Sequence, residues 1–176
     1  MKAVNSTKVN TDLAHKHVIV MGVSSCGKST VGQLLGGQVG LVFKDGDDMH
    51  PATNIEKMSA GHALNDADRW PWLEAIGQWM QGQTEGAIVG CSALKRSYRD
   101  LIRTHAPDTV FVHLHGSYEL LLERMQNRAG HFMPVSLLQS QFETLEPLDE
   151  DEPGIVLDVA QSPAELAIEA ARYLRG

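Results

Sequence analysis

Gly22-Val23-Ser24-Ser25-Cys26-Gly27-Lys28-Ser29 satisfies the pattern G-x-x-x-x-G-K-[ST], and its reading decides how the rest of the chain is understood. The run before it, His17 to Val23, is short and apolar like a buried strand, and Lys28 to about Leu35 continues as a helix. A glycine-punctuated loop between those two elements is where the motif works. Successive backbone N–H groups wrap nucleotide phosphates, and the helix N-terminus adds partial positive charge. Lys28 reaches the β and γ phosphates, and the Ser29 hydroxyl meets Mg²⁺. Ser25 stands where many such loops carry glycine, and a side chain there tolerates positive φ poorly. Cys26 has two readings, a small side chain filling space or a redox-sensitive thiol near Lys28.

Outward from the loop, short apolar runs alternate with helix-period segments, the pattern of strands joined through crossover helices into a parallel sheet. Further strands are expected over Leu41 to Lys44, Ala87 to Cys91, Thr109 to His115 and Ile155 to Val159. Helices are expected over Thr53 to Ser59, Asp68 to Gln81, Ser97 to Thr104, Ser117 to Ala129 and Pro163 to Arg175. This is an α/β chain with a five-stranded parallel sheet in three layers. Residues 1–16 are polar and read as a flexible leader, and 17–176 as a single domain. The stretch from about 130 to 152 loses periodicity around Pro134 and Pro147 and reads as a mobile lid.

Composition narrows the function. The 176 residues, 43% hydrophobic, suffice for one sizeable core. A formal charge of −7 disfavours broad contact with nucleic acid or an anionic membrane, so an anionic ligand needs a local cluster of cations. Two cysteines, no signal-peptide core and no long apolar run fit a reducing, cytoplasmic setting. No Asn-Lys-x-Asp guanine-reading sequence is present, which argues against a GTPase.

In open parallel sheets the ligand crevice lies beyond the C-terminal strand ends, so residues just after each strand carry functional weight. After the second strand comes Asp45-Gly46-Asp47-Asp48-Met49-His50-Pro51. Phosphoryl transfer needs one carboxylate in the metal shell and another to orient or accept the proton of the attacking hydroxyl. Asp45 is assigned to the first role and Asp47 to the second, an assignment that can be exchanged; Asp48 reads as solvated. Lys95, Arg99 and Arg103 fall four apart, as do Arg124 and Arg128. Arg69, Lys95 and Arg99 are the candidates for a carboxylate on the acceptor, since guanidinium forks grip carboxylates. A solvated basic stripe is the competing reading for Arg99 and Arg103. Arg124 and Arg128, at the entrance to the lid, either close on ATP or pair with a helix C-terminus. His113 and His115 share one side of a strand and read as packing residues, and Trp70, Trp72 and Trp79 as core or interface.

The run Asp45-Gly46-Asp47-x-x-His50-Pro51-x-x-Asn54-x-x-Lys57-Met58-x-x-Gly61-x-x-Leu64-Asn65-Asp66-x-Asp68-Arg69-x-Pro71-Trp72-Leu73 resembles the gluconate kinases. The resemblance continues through Cys91-Ser92-Ala93-Leu94-Lys95-x-x-Tyr98-Arg99-Asp100, Arg128-x-Gly130-His131-Phe132 and Gln141-Phe142-Glu143-Thr144-Leu145-Glu146, with departures at Ser25 and Ala63. It implies ATP-dependent phosphorylation of the gluconate 6-hydroxyl and a homodimer. With it, the candidate set is complete. Gly22, Val23, Ser24, Ser25, Cys26, Gly27, Lys28, Ser29, Thr30, Arg124 and Arg128 take ATP; Ser29 and Asp45 take Mg²⁺; Asp47, His50, Asn54, Lys57, Arg69, Lys95, Arg99 and His131 take the acceptor; Lys28, Asp45, Asp47 and Arg128 are the catalytic candidates. Two readings compete: a kinase for another small acid such as shikimate or a different aldonate, and a regulatory ATP-binding module without turnover.

Overall fold

The computed structural model describes residues 13–127 and 135–176. Strand β1 (His17–Met21) sits at the centre of a five-stranded parallel sheet that also contains β2 (Val42–Asp45), β3 (Ala87–Gly90), β4 (Val110–His115) and β5 (Gly154–Asp158), in the order β2-β3-β1-β4-β5. The β1 sequence His-Val-Ile-Val-Met suits that place, because a strand flanked on both edges and covered on both faces must be apolar throughout. Val18, Ile19, Val20 and Met21 are wholly buried, each contributing about 1.5–3 kcal/mol for a side chain of this size.

The helices are α1 (Lys28–Val39), α2 (Ala52–Ser59), α3 (Asp66–Gly82), α4 (Arg96–His105), α5 (Tyr118–Asn127), α6 (Val135–Thr144) and α7 (Pro163–Arg175). α1 packs with α7 and α3 with α4, and these pairs supply the helical layers about the sheet. Leu35, Leu73, Ile76, Met80, Ile88, Ile102, Phe111 and Leu114 form the centre of one continuous core. Because every strand runs the same way, Met21, Asp45, Gly90 and His115 all deliver the chain to one edge of the sheet.

Local chemistry sets the ends that matter. Asn65 accepts a hydrogen bond from the Asp68 N–H while the Asp68 carboxylate accepts from the Asn65 N–H, a reciprocal cap that starts α3 and fixes Asp66 and Arg69 in its first turns. A short 3₁₀ turn over Gly46–Met49 follows β2, with the Asp45 carboxylate accepting from the Asp47 N–H. Gly46 is required there, since a Cβ would lie 2.5 Å from the Gly90 carbonyl oxygen.

The structure departs from the sequence reading at both flexible segments. Within 130–152, Val135–Thr144 is a helix whose Leu137 and Leu138 are buried. Residues after it are fastened rather than loose: the Glu146 N–H donates to the Leu94 carbonyl at 2.7 Å, and Arg96 holds both Asp149 and Asp151. Residues 13–16, counted with the leader, are anchored too. Leu13 is buried, the Ala14 N–H donates to Leu174, and the His15 ring stacks on Tyr173. The remainder of the leader, residues 128 and 129 and residues 130–134 of the lid lie outside the described residues.

Candidate active site

Residues 22–27 bridge β1 and α1, and residues 24–31 line a crevice of about 630 Å³ together with Asp45, Asp47, Arg124, Asn127, Gln161 and Pro163. The loop depends on unusual backbone angles. Gly22 has φ +147°, and a Cβ there would come within 2.7 Å of the Leu114 carbonyl oxygen. Ser25 takes φ +68° with a side chain attached, a left-handed conformation that costs about 1–2 kcal/mol outside glycine. Lys28 Nζ donates to the Gly22 and Val23 carbonyls at 2.9 and 3.1 Å, which places its ammonium over the loop mouth. Cys26 is buried, and burial pushes its thiol pKa up against the opposing pull of Lys28, so the space-filling reading fits and the reactive thiolate does not. Cys91 is buried as well, its pKa driven up to about 12 by desolvation.

Ser29 Oγ donates to Asp45 Oδ2 at 3.0 Å. A hydroxyl and a carboxylate side by side at the phosphate end are hard oxygen donors, a set that would suit Mg²⁺. Among the described residues no group of three or more His, Cys, Asp or Glu forms a separate metal cage. Asp47, two residues on, opens into the same crevice; desolvation raises its pKa, Asp45 and Asp48 add to the rise, and Lys28 opposes it. A carboxylate moved toward neutrality is a better proton acceptor for a hydroxyl.

The residues expected from sequence on the acceptor side come from the turn after β2, α2, α3 and the start of α4. His50 is buried against Trp72, ring centroids 3.9 Å apart and nearly parallel at 16°. Burial, helped by Arg69, lowers its pKa to about 4, so the ring is neutral. Asn54 Nδ2 donates both to His50 Nδ1 at 3.2 Å and to the Asp68 carbonyl at 2.9 Å, which leaves the proton on His50 Nε2, 3.9 Å from the Asp47 carboxylate. Asn54, expected from sequence as an acceptor contact, is buried and donates to His50. Lys57 is likewise engaged, donating to Asp68 at 2.7 Å beside the α3 cap.

Arg69 and Lys95 converge on Asp66, at 3.8 and 3.2 Å. The Tyr98 hydroxyl donates to Asp66 and accepts from Arg69 Nη1 at 2.8 Å. Hydrogen bonds from Tyr98 and Lys95 hold the Asp66 carboxyl below the usual carboxylate range. Asp66, Tyr98 and Trp72 were not singled out from the sequence as site residues. Tyr98 is spaced like a core residue with Ile102, and only the structure shows where its hydroxyl points.

One site expectation is overturned. Arg99 is wholly buried and turned away from the crevice, forming paired hydrogen bonds to Glu152 at 2.6 and 2.8 Å and further ones to the carbonyls of Ala93, Glu146 and Pro147. Burial alone would raise the Glu152 pKa, but Arg99 and the Asp149 N–H hold it below the ordinary value. Arg99 shares the inward face of α4 with Tyr98 and Ile102, and five acceptors consume its donors. Arg124 lines the crevice and donates to the Val159 carbonyl at 2.6 Å. Arg128 and His131 lie outside the described residues. A contact not expected from sequence comes from α6, where Gln141 Oε1 accepts from the Ser24 N–H at 2.7 Å and ties that helix to the phosphate loop. His113 is buried with its ring against His115, as packing residues.

A parallel sheet with a phosphate loop after its central strand, and carboxylates after the neighbouring strand, defines a P-loop small-molecule kinase. The family model described as shikimate kinase matches residues 24–169. The chain is 48% identical to the thermosensitive gluconokinase of Escherichia coli over 147 residues, covering 82% of this chain and 79% of that protein. It is 44% identical to the gluconokinase of Gluconobacter oxydans, with 93% of each covered. A solved gluconokinase from Sinorhizobium meliloti is 51% identical and superposes with a TM-score of 0.85 over 90% of this chain and 91% of that one. The chain belongs to the gluconokinase family.

Proposed function

We propose that this chain transfers the γ-phosphoryl group of ATP to the 6-hydroxyl of gluconate, giving 6-phosphogluconate and ADP. The observation that carries the reading is the Asp45–Met49 turn, which sets one carboxylate on the Ser29 hydroxyl and the next, Asp47, free in the same crevice. Lys28 and the loop amides hold the β and γ phosphates. Mg²⁺, held by Ser29 and Asp45, neutralises phosphate charge when bound. Asp47 accepts the proton of the 6-hydroxyl as its oxygen bonds to the γ phosphorus and the bond to the β,γ-bridging oxygen breaks, the departing electron pair staying on ADP. Neutral His50 donates from Nε2 to orient Asp47 or the sugar hydroxyl beside it. Arg69 and Lys95 grip the acceptor carboxylate, and Arg124 and Arg128 offset charge on the transferred group.

ADP release coupled to a reporter, with MgATP and a panel of gluconate, other aldonates, shikimate and nucleoside monophosphates, tests this. Gluconate-dependent turnover well above the rest is expected; turnover on another acid alone, or on none, overturns it. No described helix is long and apolar enough to cross a membrane. A cytoplasmic location and a homodimer complete the proposal, and light scattering of the purified protein tests the second.

A further inference from the structure

The acceptor side holds two cations on flexible stems, and both rest on one ring. Arg69 Cζ lies 5.4 Å and Lys95 Nζ 5.6 Å from the Tyr98 ring centroid. The hydroxyl of that ring, itself almost wholly buried, accepts from Arg69 and donates to Asp66, which in turn accepts from Lys95 at 3.2 and 3.3 Å. Trp70 closes the far side with an edge contact at 5.5 Å. Tyr98 is thus the only side chain in this cluster that meets Arg69, Lys95 and Asp66 together among the described residues. Desolvation and the Asp66 bond push its pKa up to about 12, so the hydroxyl remains a donor throughout the working range.

Charge bookkeeping adds to the geometry. Two cations and one carboxylate leave one positive charge, and the nearby Lys57–Asp68 pair is internally balanced. A single excess charge, displayed by two donors held at fixed positions, matches one carboxylate. Ordering two long side chains at the moment of binding would consume much of that attraction, and fixing them beforehand removes the loss.

We propose that Tyr98 is a positioning residue that sets acceptor selectivity, holding Arg69 and Lys95 over Asp66 so that the site takes a polyol ending in one carboxylate in preference to the neutral polyol. It acts through the two cations rather than on the substrate. The inference rests on the reading of Arg69 and Lys95 as the carboxylate grip.

The experiment compares gluconate with glucitol, which keeps the 6-hydroxyl and replaces the carboxylate by an alcohol. Tyr98→Phe keeps the ring and its packing while removing the hydroxyl. The KM for gluconate is expected to rise about tenfold, the worth of one hydrogen bond to a charged group. kcat and the KM for ATP should stay within about twofold, because Tyr98 bonds to Arg69 and Asp66 and not to the phosphate loop. The ratio of kcat/KM for gluconate to that for glucitol should fall by the same tenfold. A variant that merely loses stability lowers the active fraction and leaves that ratio unmoved, which overturns the proposal. Should Tyr98→Phe fail to fold, Arg69→Lys keeps the charge and removes the guanidinium that the hydroxyl meets; the same loss of ratio is expected, and an unchanged ratio overturns the proposal. Wild-type protein that turns over gluconate alongside an unmoved ratio leaves the kinase reading standing without this inference, whereas no turnover on any acid removes both.

Discussion

The phosphate loop presents backbone N–H groups in one unbroken stretch, whereas the proposed acceptor side gathers the side chains of Asp47, His50, Asp66, Arg69, Lys95 and Tyr98 from separate elements. The first kind of site is fixed by chain path, so it accommodates Ser25 and Cys26 where side-chain identity is secondary. The second kind is fixed by side chains that hold one another, and each change there is transmitted to its neighbours. Substitutions on the two sides should therefore fail differently.

The largest effect is expected at Lys28, the cation proposed to meet the β and γ phosphates. Lys28→Ala should lower kcat on the order of 10³-fold, the upper range for removing a preorganised electrostatic group, with folding unchanged in circular dichroism. Asp47→Asn should lower kcat on the order of 10²-fold and leave the KM for ATP near its starting value, read by steady-state kinetics. A smaller loss would restrict Asp47 to orientation.

Arg99 sharpens the contrast, because it lies beside the acceptor side yet belongs to the core. Arg99→Ala leaves Glu152 buried without its partner and should destabilise the fold by about 3–5 kcal/mol in urea denaturation. Were Arg99 instead a substrate contact, the KM for gluconate would rise with stability intact.

The pH profile separates the two sides again. Because the Asp47 pKa is raised, kcat/KM should fall on the acid side at a pH above the ordinary carboxylate value of about 4, and this limb should vanish in Asp47→Asn. The sign for stability runs the other way. A carboxyl whose folded pKa is raised favours the fold below its unfolded value, and that contribution is lost as pH rises through the folded one. At neutral pH the Asp47 charge therefore weighs only slightly against folding, since its side chain is 73% exposed, and the Asn variant should melt no lower than the wild type while working less. The smallest effect belongs to the loop: Ser25→Gly relieves about 1–2 kcal/mol of left-handed strain and adds about 0.5–1 kcal/mol of unfolded-chain entropy, so the melting temperature should rise slightly.

The five strands, their parallel arrangement and the phosphate loop are legible in the sequence because each is a local pattern of apolar runs, helical spacing or glycine punctuation. The acceptor side is legible only in part. Asp47 and His50 follow a strand and could be placed by that fact alone. Arg99 misleads because four-residue spacing from Lys95 suggests a shared face, yet Lys95 precedes α4 in an extended conformation and Arg99 faces inward to Glu152, far along the chain. Its place between Tyr98 and Ile102 was the available signal. α6 escaped although Val135, Leu138 and Phe142 hold helical spacing, because two prolines bracket this short run and the polar residues on either side of it carry no such spacing. The Gln141 contact to the loop depends on tertiary approach, which no local pattern encodes.

The central position of β1 has a consequence for hydrogen exchange. Its neighbours β3 and β4 pair along both edges, and Val18 to Met21 are shielded on both faces, so no partial opening at a sheet edge reaches these amides. Their exchange with deuterium proceeds only through unfolding of the whole molecule, while amides of the edge strands β2 and β5 exchange through local fraying. The phosphate loop is the direct continuation of β1, so its anchor persists for as long as the native state does, and the slowest-labelled peptide should be the one that ends at Gly22.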